Sequence, residues 1–272
     1  MKRQFKFYPT LLDEFNKYRE VSADTFLYQD EQGKWHINYT EADGYHYTQE
    51  ECEAIAKQRL IDKINRVPQP PSEAAEKGTC FNELVDCLIH KKQSSIMEVT
   101  KLYSADDRQR VTALHCKKAG FEFVFDVDLI KQTAEYFKGS LSQVFTQADV
   151  PTAYGTVRLY GYIDELRQSK VFDIKTTKQY TFGQYKDYMQ RFVYPYCLME
   201  CGQLDVVSSF EFTVYVLKST KTQPVITAEQ YKEEYTYDHI QASQFIQREC
   251  ENFVEFLLDN ENLITDRRIF NE

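Results

Sequence analysis

The amino-terminal part of the chain alternates between helical and strand-like spacing of its apolar residues. Over residues 5–20 the large apolar side chains recur at helical spacing after Pro9, which predicts a short amphipathic helix. Residues 25–47 carry short aromatic runs between polar residues, a pattern typical of a hairpin or of ordered loops. A second helix is predicted from about Thr48 to Asn65, with Thr48 as its cap. The apolar positions of the first helix are Phe7, Leu11, Leu12, Phe15 and Tyr18.

A proline-rich break separates this part from a third predicted helix. The sequence VPQPP at 67–71 ends the second helix, because proline lacks the backbone N–H that a helix interior needs. Ser72 is a suitable cap for the next helix, and Glu73 and Glu76 lie in its first turn, where the helix dipole favours acidic side chains. The apolar stripe of this helix is formed by Phe81, Leu84, Val85, Leu88 and Ile89.

Strands and helices alternate through the rest of the chain. Residues 157–166 and 171–177 predict two strands joined by a short polar turn, a hairpin with aspartates on both arms. The order of the elements predicts an α/β fold, in which a mixed α+β sheet is flanked by helices. The other predicted elements are a strand-like segment over 112–126, helices over 127–147, 181–201 and 238–259, and a strand over 209–218.

Length and cysteine content restrict the class of protein. A chain of 272 residues without a long linker fits one elaborated domain. Its apolar runs are shorter than the roughly 18 residues of a spanning helix, and MKRQFKFYPT lacks the apolar core of a signal peptide. We therefore expect a cytoplasmic protein without a membrane partner. The seven cysteines include no C-x-x-C pair, which favours reduced thiols over disulfides or a zinc ribbon.

The net charge limits how the protein could bind nucleic acid. A formal charge of -9 argues against a uniformly basic, nucleic-acid-coating surface, because phosphate binding relies on lysine and arginine. It is compatible with an enzyme that holds DNA in one local groove. Carboxylates that bind a divalent cation add negative charge, and the bound ion neutralises it locally.

The predicted hairpin carries the strongest candidate chemistry. Asp173 and Lys175 are two positions apart in VFDIKTT, so a strand directs both side chains to one face. Asp164 lies on the preceding arm and can approach Asp173 across the hairpin. Two close carboxylates form a site for a hard divalent cation, and a neighbouring lysine can orient water or stabilise charge on a phosphate. A structural ion pair across a hairpin would give the same isolated triplet.

Two helices offer supporting residues. Gln190 and Tyr194 stand four residues apart, so both side chains lie on one helix face and can reach the same phosphate or lysine. Asn82 and Glu83, on the helix after Ser72, are candidates for a further metal ligand. These residues also have structural interpretations: Tyr194 as a core side chain, Glu83 as solvated surface and Asn82 as polar filler.

Taken together, these segments resemble the PD-(D/E)XK nuclease superfamily, and within it the RecB-like and lambda-exonuclease-like branch. The likeness rests on four short motifs in the family's order and on an opening helix, YPTLLDEFNKY, that is similar to that of the branch. The four segments are EKGTCFNEL at 76–84, resembling E-[RK]-G-T-x-x-H; GYID at 161–164, resembling G-x-x-D; DIK at 173–175, resembling (D/E)-x-K; and QRFVY at 190–194, resembling Q-x-x-x-Y.

The resemblance implies a fold and an activity. It implies a restriction-endonuclease-like core over residues 72–218, within a single nuclease domain over 1–272. Residues 1–71 would be an amino-terminal helical and hairpin elaboration, and 219–272 a carboxy-terminal helical segment. The implied activity is Mg2+- or Mn2+-dependent hydrolysis of DNA at its ends, in recombination, repair or phage replication. Asp164, Asp173, Lys175, Gln190 and Tyr194 would be catalytic, and Asp164, Asp173, the carbonyl of Ile174, and Glu83 or Asn82 would bind the metal.

The chain departs from the family pattern at two places. Asn82 stands where the family commonly has a metal-binding histidine, and its amide is a weaker ligand than an imidazole, so Glu83 is an alternative. Some relatives hold an iron–sulfur cluster with one early and several late cysteines. Here Tyr18 occupies the early helix, and the late cysteines lack the compact spacing, so we expect no cluster.

Two other classes of function remain open from the sequence. A non-catalytic nucleic-acid binder on the same scaffold would be consistent with Asn82 at the histidine position. A protein-interaction module, binding for example a recombination partner, would use the acidic and aromatic surface. Relatives that form rings thread DNA through a central channel, which leaves a homo-oligomer open as well.

Overall fold

A mixed sheet of nine strands forms the centre of the protein in the part of the chain that the structure describes. The structure, a computed structural model, describes residues 3–21, 27–29, 35–37 and 48–271. The strands of this sheet are β1 (Arg3–Phe7), β4 (Glu98–Tyr103), β5 (Val111–Lys118), β6 (Phe121–Asp126), β7 (Leu141–Thr152), β8 (Gly155–Arg167), β9 (Lys170–Thr177), β10 (Ser209–Lys218) and β11 (Val225–Thr236). The short strands β2 (Leu27–Gln29) and β3 (Trp35–Ile37) form a separate antiparallel pair.

Six α-helices are present among the described residues. They are α1 (Pro9–Arg19), α2 (Gln49–Ile64), α3 (Glu73–His90), α4 (Val127–Tyr136), α5 (Gln190–Glu200) and α6 (His239–Asp259). Short 3-10 turns follow α6 at Glu261–Leu263 and Arg267–Phe270. None of the helices in the described ranges combines the length and the apolar character needed to cross a bilayer.

The strand order mixes segments that are far apart in the chain. It runs β1, β8, β9, β10, β11, β6, β5, β4, with β7 also paired to β8. β9 and β10 are parallel, and so are β1 and β8, whereas β8 is antiparallel to β7 and β9. The predicted α/β class, a mixed sheet flanked by helices, is therefore confirmed at this level.

Helices pack on both faces of the sheet. Val171 of β9 and Val214 of β10 are buried in a cluster with α5, whereas the next residue of each strand, Phe172 and Tyr215, is buried with α3 and α4. Successive strand residues point to opposite faces, so α5 lies on one face and α3 with α4 on the other. A third cluster joins α1, α2, α5 and α6 to β1 and the first half of β8.

Several predicted elements are present with nearly the predicted bounds. Thr48 caps α2 and forms a capping box with Glu51, and Ser72 caps α3 through the Ala75 N–H. The strands β8, β9 and β10 and the final helix α6 also follow the prediction. The hairpin predicted over 25–47 is represented by the β2–β3 pair, and the rest of that segment lies outside the described residues.

Two predicted helices were too long, and one residue was wrongly assigned to the first helix, which begins at Pro9 as expected. Phe7 belongs to β1 rather than to the first helix, because Phe5 and Phe7 alternate with an outward residue and are both fully buried. The helix predicted over 127–147 ends at Tyr136, and its second half is β7. The helix predicted from 181 begins at Gln190 and is preceded by a series of turns.

Other corrections concern strands. The segment 112–126 is two strands, β5 and β6, joined by a turn at Ala119 and Gly120, which both have positive φ. β4 and β11 were not predicted. The expected helical segment 219–272 therefore begins with a strand, β11, that pairs with β10 and places the former boundary at 218 inside the sheet.

Candidate active site at the fork of the sheet

The long strand β8 changes its partner at the centre of the sheet. Along one edge it pairs with β7 from Gly155 to Leu166. Along the other edge it pairs with β1 as far as Leu159 and with β9 only from Glu165 onwards. Residues 160–164 therefore have no ladder partner on that edge among the described strands, and β1 and β9 diverge there as a fork.

Asp164 lies at the base of this fork. Its Oδ2 accepts a hydrogen bond from the backbone N–H of Ile174 at 2.8 Å; Asp164 is one position and Ile174 two positions beyond Glu165–Phe172, the last pair of the β8–β9 ladder. The side chain thus satisfies a strand N–H that has no carbonyl partner on β8. Because Ile174 directly follows Asp173, this contact places Asp164 close to Asp173. The hairpin pattern predicted this approach of the two aspartates.

Asp173, Lys175 and Gln190 form a closed triangle of contacts. Lys175 Nζ lies 2.7 Å from Asp173 Oδ2 and donates a hydrogen bond to Gln190 Oε1 at 2.6 Å. Gln190 Nε2 in turn donates to Asp173 Oδ1. Asp173 is only 2% exposed, so the triangle shields this carboxylate from water on the α5 side. The predicted grouping of these three residues is present.

The start of α5 is held in place by Asp13, a residue of α1 that is distant in the sequence. Asp13 Oδ1 accepts a hydrogen bond from the Met189 N–H at 2.7 Å, and Met189 immediately precedes Gln190. The first N–H groups of a helix have no partner within the helix, so an external acceptor fixes its start. Asp13 is buried, and it was not identified from the sequence because its partner is 176 residues away.

Tyr194 occupies the same face of α5 but is largely a packing residue. Its ring lies against Gly161, where an added Cβ would stand 2.6 Å from a ring carbon, so only glycine allows this approach. Burial, and then the negative charge of Asp173, raise the pKa of the Tyr194 phenol, which stays protonated at neutral pH. Tyr194 therefore keeps α5 close to β8, in agreement with the core interpretation.

Helix α3 approaches the fork from the opposite face of the sheet. A Cβ at Gly78 would stand 2.5 Å from Thr176 Oγ1, so this helix passes very close to β9. Asn82 is one turn further along the same helix face, and its Oδ1 is buried without a hydrogen-bond partner in the described ranges. The Glu83 carboxylate instead accepts a hydrogen bond from the Cys87 thiol at 3.5 Å.

The electrostatics of the site are those of crowded carboxylates beside one ammonium group. Burial, and then the charge of Asp173, raise the pKa of Asp164 to about 7. Burial also raises the pKa of Asp173, against the opposing effect of Lys175. Burial opposes the charge of Lys175, but Asp173 and Asp164 outweigh it and raise the Lys175 pKa above its ordinary value. Lys175 is therefore an ammonium group at neutral pH.

Two further acids near Asp164 were not predicted. Asp86 is buried on α3, one turn after Asn82, and its charge raises the pKa of both Asp164 and Glu165. Glu165 is fully buried, and burial is the main cause that raises its pKa to about 8. The sequence did hold a signal for Asp86, because Gly78, Asn82 and Asp86 recur every four residues on one helix face.

The comparisons with known proteins do not identify a family. No family model and no curated protein matches the chain. The crystal structure of SSO0001 aligns with a TM-score of 0.26 and 13% identity, over 44% of this chain and 50% of that one. Rai1 from Scheffersomyces stipitis aligns with a TM-score of 0.24 and 12% identity, over 95% of this chain and 61% of that one. The chain thus spans half to three-fifths of these two structures, and scores at this level do not establish a shared fold.

Proposed function

We propose that this protein is a metal-dependent nuclease that hydrolyses DNA phosphodiester bonds, acting as an exonuclease on DNA ends in recombination, repair or phage replication. The observation that carries the proposal is the Asp173–Lys175–Gln190 triangle beside Asp164 at the fork. A structural ion pair needs only Asp173 and Lys175. It does not require a second buried carboxylate whose pKa is raised to about 7 by burial and by the first.

The arrangement of elements around the fork supports a restriction-endonuclease-like core. β8, β9 and β10 are adjacent in the sheet, with α3 and α5 on opposite faces. The four motif segments lie on these elements: the first on α3, the second on β8, the third on β9 and the fourth on α5. The segments on β8, β9 and α5 meet at the fork, and the segment on α3 packs against β9 through Gly78, which supports the resemblance.

The residues present fit a hard divalent cation. Carboxylate, amide and backbone carbonyl oxygens are the ligands that Mg2+ and Mn2+ prefer. Asp173 Oδ2 and Asn82 Oδ1 are both buried without a hydrogen bond, although Asp173 Oδ2 has its ionic contact with Lys175. No group of three or more His, Cys, Asp or Glu side chains with metal-site geometry occurs in the described ranges. The ligand set would accordingly be Asp164, Asp173 and the Ile174 carbonyl, with Asn82 or Glu83 completing it.

Each residue would then have a defined part in hydrolysis. Lys175, charged at neutral pH, would orient the attacking water and stabilise the negative charge that develops on the phosphate. Gln190 would hold the Lys175 ammonium, and Tyr194 would keep Gln190 in position through the packing of α5. A bound Mg2+ or Mn2+ would supply polarisation of the water and of the scissile phosphate.

Asn82 favours a second candidate function, a non-catalytic nucleic-acid binder on the same scaffold. An amide at the position of the family's histidine would bind a metal more weakly. Such a protein would bind DNA without metal-dependent turnover, and it would not need the Lys175–Gln190 contact that is present here.

Cleavage of linear and covalently closed duplex DNA with Mg2+, Mn2+ or EDTA tests the proposal. We expect metal-dependent loss of the linear DNA only, and no loss with Lys175→Ala or Asp173→Ala. Lys218→Ala, on the adjacent strand β10 and in an exposed ion pair, is the matched control and should cleave normally. Cleavage by Lys175→Ala at the wild-type rate would contradict the assignment. Binding of DNA without cleavage by the wild type would favour the second candidate.

A further inference from the structure

A large cavity lies away from the fork, between α3, α4 and the β4–β5 hairpin. Its volume is about 860 Å3, and none of the five proposed catalytic residues lines it. Its floor is formed by buried aliphatic side chains, including Leu84 of α3 and Val127 and Ile130 of α4. The rim adds Leu88 and Val99, which are 46% and 41% exposed. The depression therefore combines aliphatic side chains on its floor with a rim that is partly apolar and partly polar.

The rim of the cavity is basic in an acidic protein. Lys92, Lys101 and Arg110 line it, and their side chains make no ion pair or hydrogen bond with any other described residue, although the charge of Lys92 acts on the buried Asp86 and lowers its pKa against the effect of burial. Lys131 also lines it, at 3.6 Å from its single acidic neighbour there, Asp128. Elsewhere many exposed cations are paired, and the chain as a whole has a formal charge of -9. Three unpaired cations around one apolar floor complement a ligand that is both acidic and apolar.

The side chains that line the cavity indicate whether a peptide or a nucleic acid would bind there. The apolar part of its lining is mainly aliphatic and includes Met97, and the cavity is lined by no aromatic ring. Nucleobases bind mainly by stacking on aromatic side chains, which this floor does not offer. Aliphatic side chains of a peptide, in contrast, fill a floor of leucine, isoleucine, valine and methionine well. The lining thus favours a peptide over a nucleic acid.

A strand edge beside the cavity offers backbone hydrogen bonds. β4 is the last strand of the sheet, and every residue from Glu98 to Tyr103 is exposed. Its pairing within the described residues is with β5 on one side, so its other edge presents free N–H and C=O groups. Val99 and Lys101 of this strand line the cavity, so a segment that adds to the edge would lie along the basic rim.

We propose that this cavity binds an acidic segment of a partner protein, in which aspartates or glutamates alternate with aliphatic side chains. The aliphatic side chains would enter the floor between α3 and α4, and the carboxylates would pair with Lys92, Lys101 and Arg110. The site is separate from the fork, so the proposal stands independently of nuclease activity. It would bring the enzyme to an acidic partner without occupying the catalytic residues.

Selection of random twelve-residue peptides displayed on phage, with the full-length protein as target, tests this assignment. We expect enrichment of peptides that combine acidic and aliphatic residues. Synthetic copies of the enriched peptides, labelled with fluorescein, should lose affinity at least about tenfold toward the charge-reversed rim variant, and also at high salt. That variant is Lys92→Glu, Lys101→Glu and Arg110→Glu; its matched control reverses three exposed lysines elsewhere, Lys138→Glu, Lys186→Glu and Lys221→Glu.

A second variant tests the apolar part of the rim without altering charge. Leu88→Ser changes a half-exposed rim residue and should weaken the same peptides while leaving the thermal unfolding midpoint nearly unchanged. Equal binding by the wild type and the rim variant would overturn the proposal, as would a selection without acidic enrichment. Labelled single-stranded DNA that binds the wild type but not the rim variant, with no acidic peptide selected, would reassign the cavity to nucleic acid.

Discussion

Asp13 accepts a hydrogen bond from the backbone N–H of Met189 and so fixes the start of α5, a helix far from Asp13 in the sequence. Gln190, the next residue, holds both Lys175 and Asp173. The orientation of the candidate catalytic lysine therefore depends on a helix start whose acceptor is 176 residues away. Asp13 would act on the reaction by positioning Gln190 and Lys175, and its charge also helps to raise the pKa of Lys175.

Removal of this acceptor is expected to reduce catalysis. Asp13→Ala leaves the Met189 N–H unsatisfied, which costs about 1–3 kcal/mol, and frees the Gln190 amide from its position. We expect at least about a tenfold lower cleavage rate. Asp13→Asn keeps an acceptor oxygen and should restore most of the rate, which separates positioning from charge. Steady-state cleavage and urea unfolding of both variants measure the effect, and a fully active Asp13→Ala protein would contradict it.

Two buried carboxyl groups, Asp13 and Glu165, are expected to make the free energy of unfolding fall as pH rises. Burial is the leading cause that raises the pKa of Asp13 to about 6 and that of Glu165 to about 8. Because both groups have a higher pKa in the folded than in the unfolded protein, their contribution to the free energy of unfolding is fully present below about pH 4. This contribution is lost as pH rises through 6 and 8.

A neutral substitution isolates one of these groups. Glu165→Gln should flatten the dependence of the unfolding free energy on pH between 5 and 9 by about 1–3 kcal/mol. Urea unfolding at several pH values provides the measurement, with the exposed Glu135→Gln as control. A Glu165→Gln profile parallel to that of the wild type would show that Glu165 is ionised without cost.

Metal binding should show the opposite dependence on pH. Asp164 and Asp173 must lose protons to bind a cation, and burial raises the pKa of both. We expect Mn2+ to raise the thermal unfolding midpoint more at pH 8 than at pH 5.5, reversibly with EDTA. Asp164→Asn should abolish this shift. A shift of equal size in Asp164→Asn, or one independent of pH, would place the bound metal elsewhere.

Asn82 offers a test in the direction of gained function. Its buried Oδ1 has no hydrogen-bond partner among the described residues, and an imidazole at this position is a stronger ligand. Asn82→His should lower the Mn2+ concentration that gives half-maximal cleavage by about three- to tenfold. Glu83→Gln is the matched neighbour and should leave it unchanged if Asn82 is the ligand. The reverse pattern would assign the metal to Glu83.

Sequence patterns predicted elements well where local chemistry determines the outcome. Thr48 and Ser72 cap their helices as expected, and the β8–β9 hairpin follows from alternation around a polar turn. β4 was missed because all its residues are exposed, and β11 because most of them are, so neither strand shows the alternation of a half-buried strand. These segments become strands because they pair with β10 and β5, and such pairing cannot be read from the residues of one segment alone.

The candidate site shows the same division. Asp164, Asp173, Lys175 and Gln190 were predicted as a group, and the structure brings them together. Asp13 and Glu165 could not be assigned, because their significance arises from burial between distant segments. The sequence allowed either a catalytic or a core role for Tyr194, and the packing of its ring on Gly161 supports the core role.

The parallel pairing of β1 with β8 affects how the protein can mature. Arg3 to Phe7 are made 152 residues before their partners, Gly155 to Leu159. At typical rates of translation this interval is roughly 10–30 s. Throughout that time Phe5 and Phe7 lack the strand that buries them, and the nascent chain has no complete fork. The candidate site would therefore be complete only after β8, β9 and α5 have been made, and a chaperone that shields Phe5 and Phe7 until then would raise the yield of folded protein.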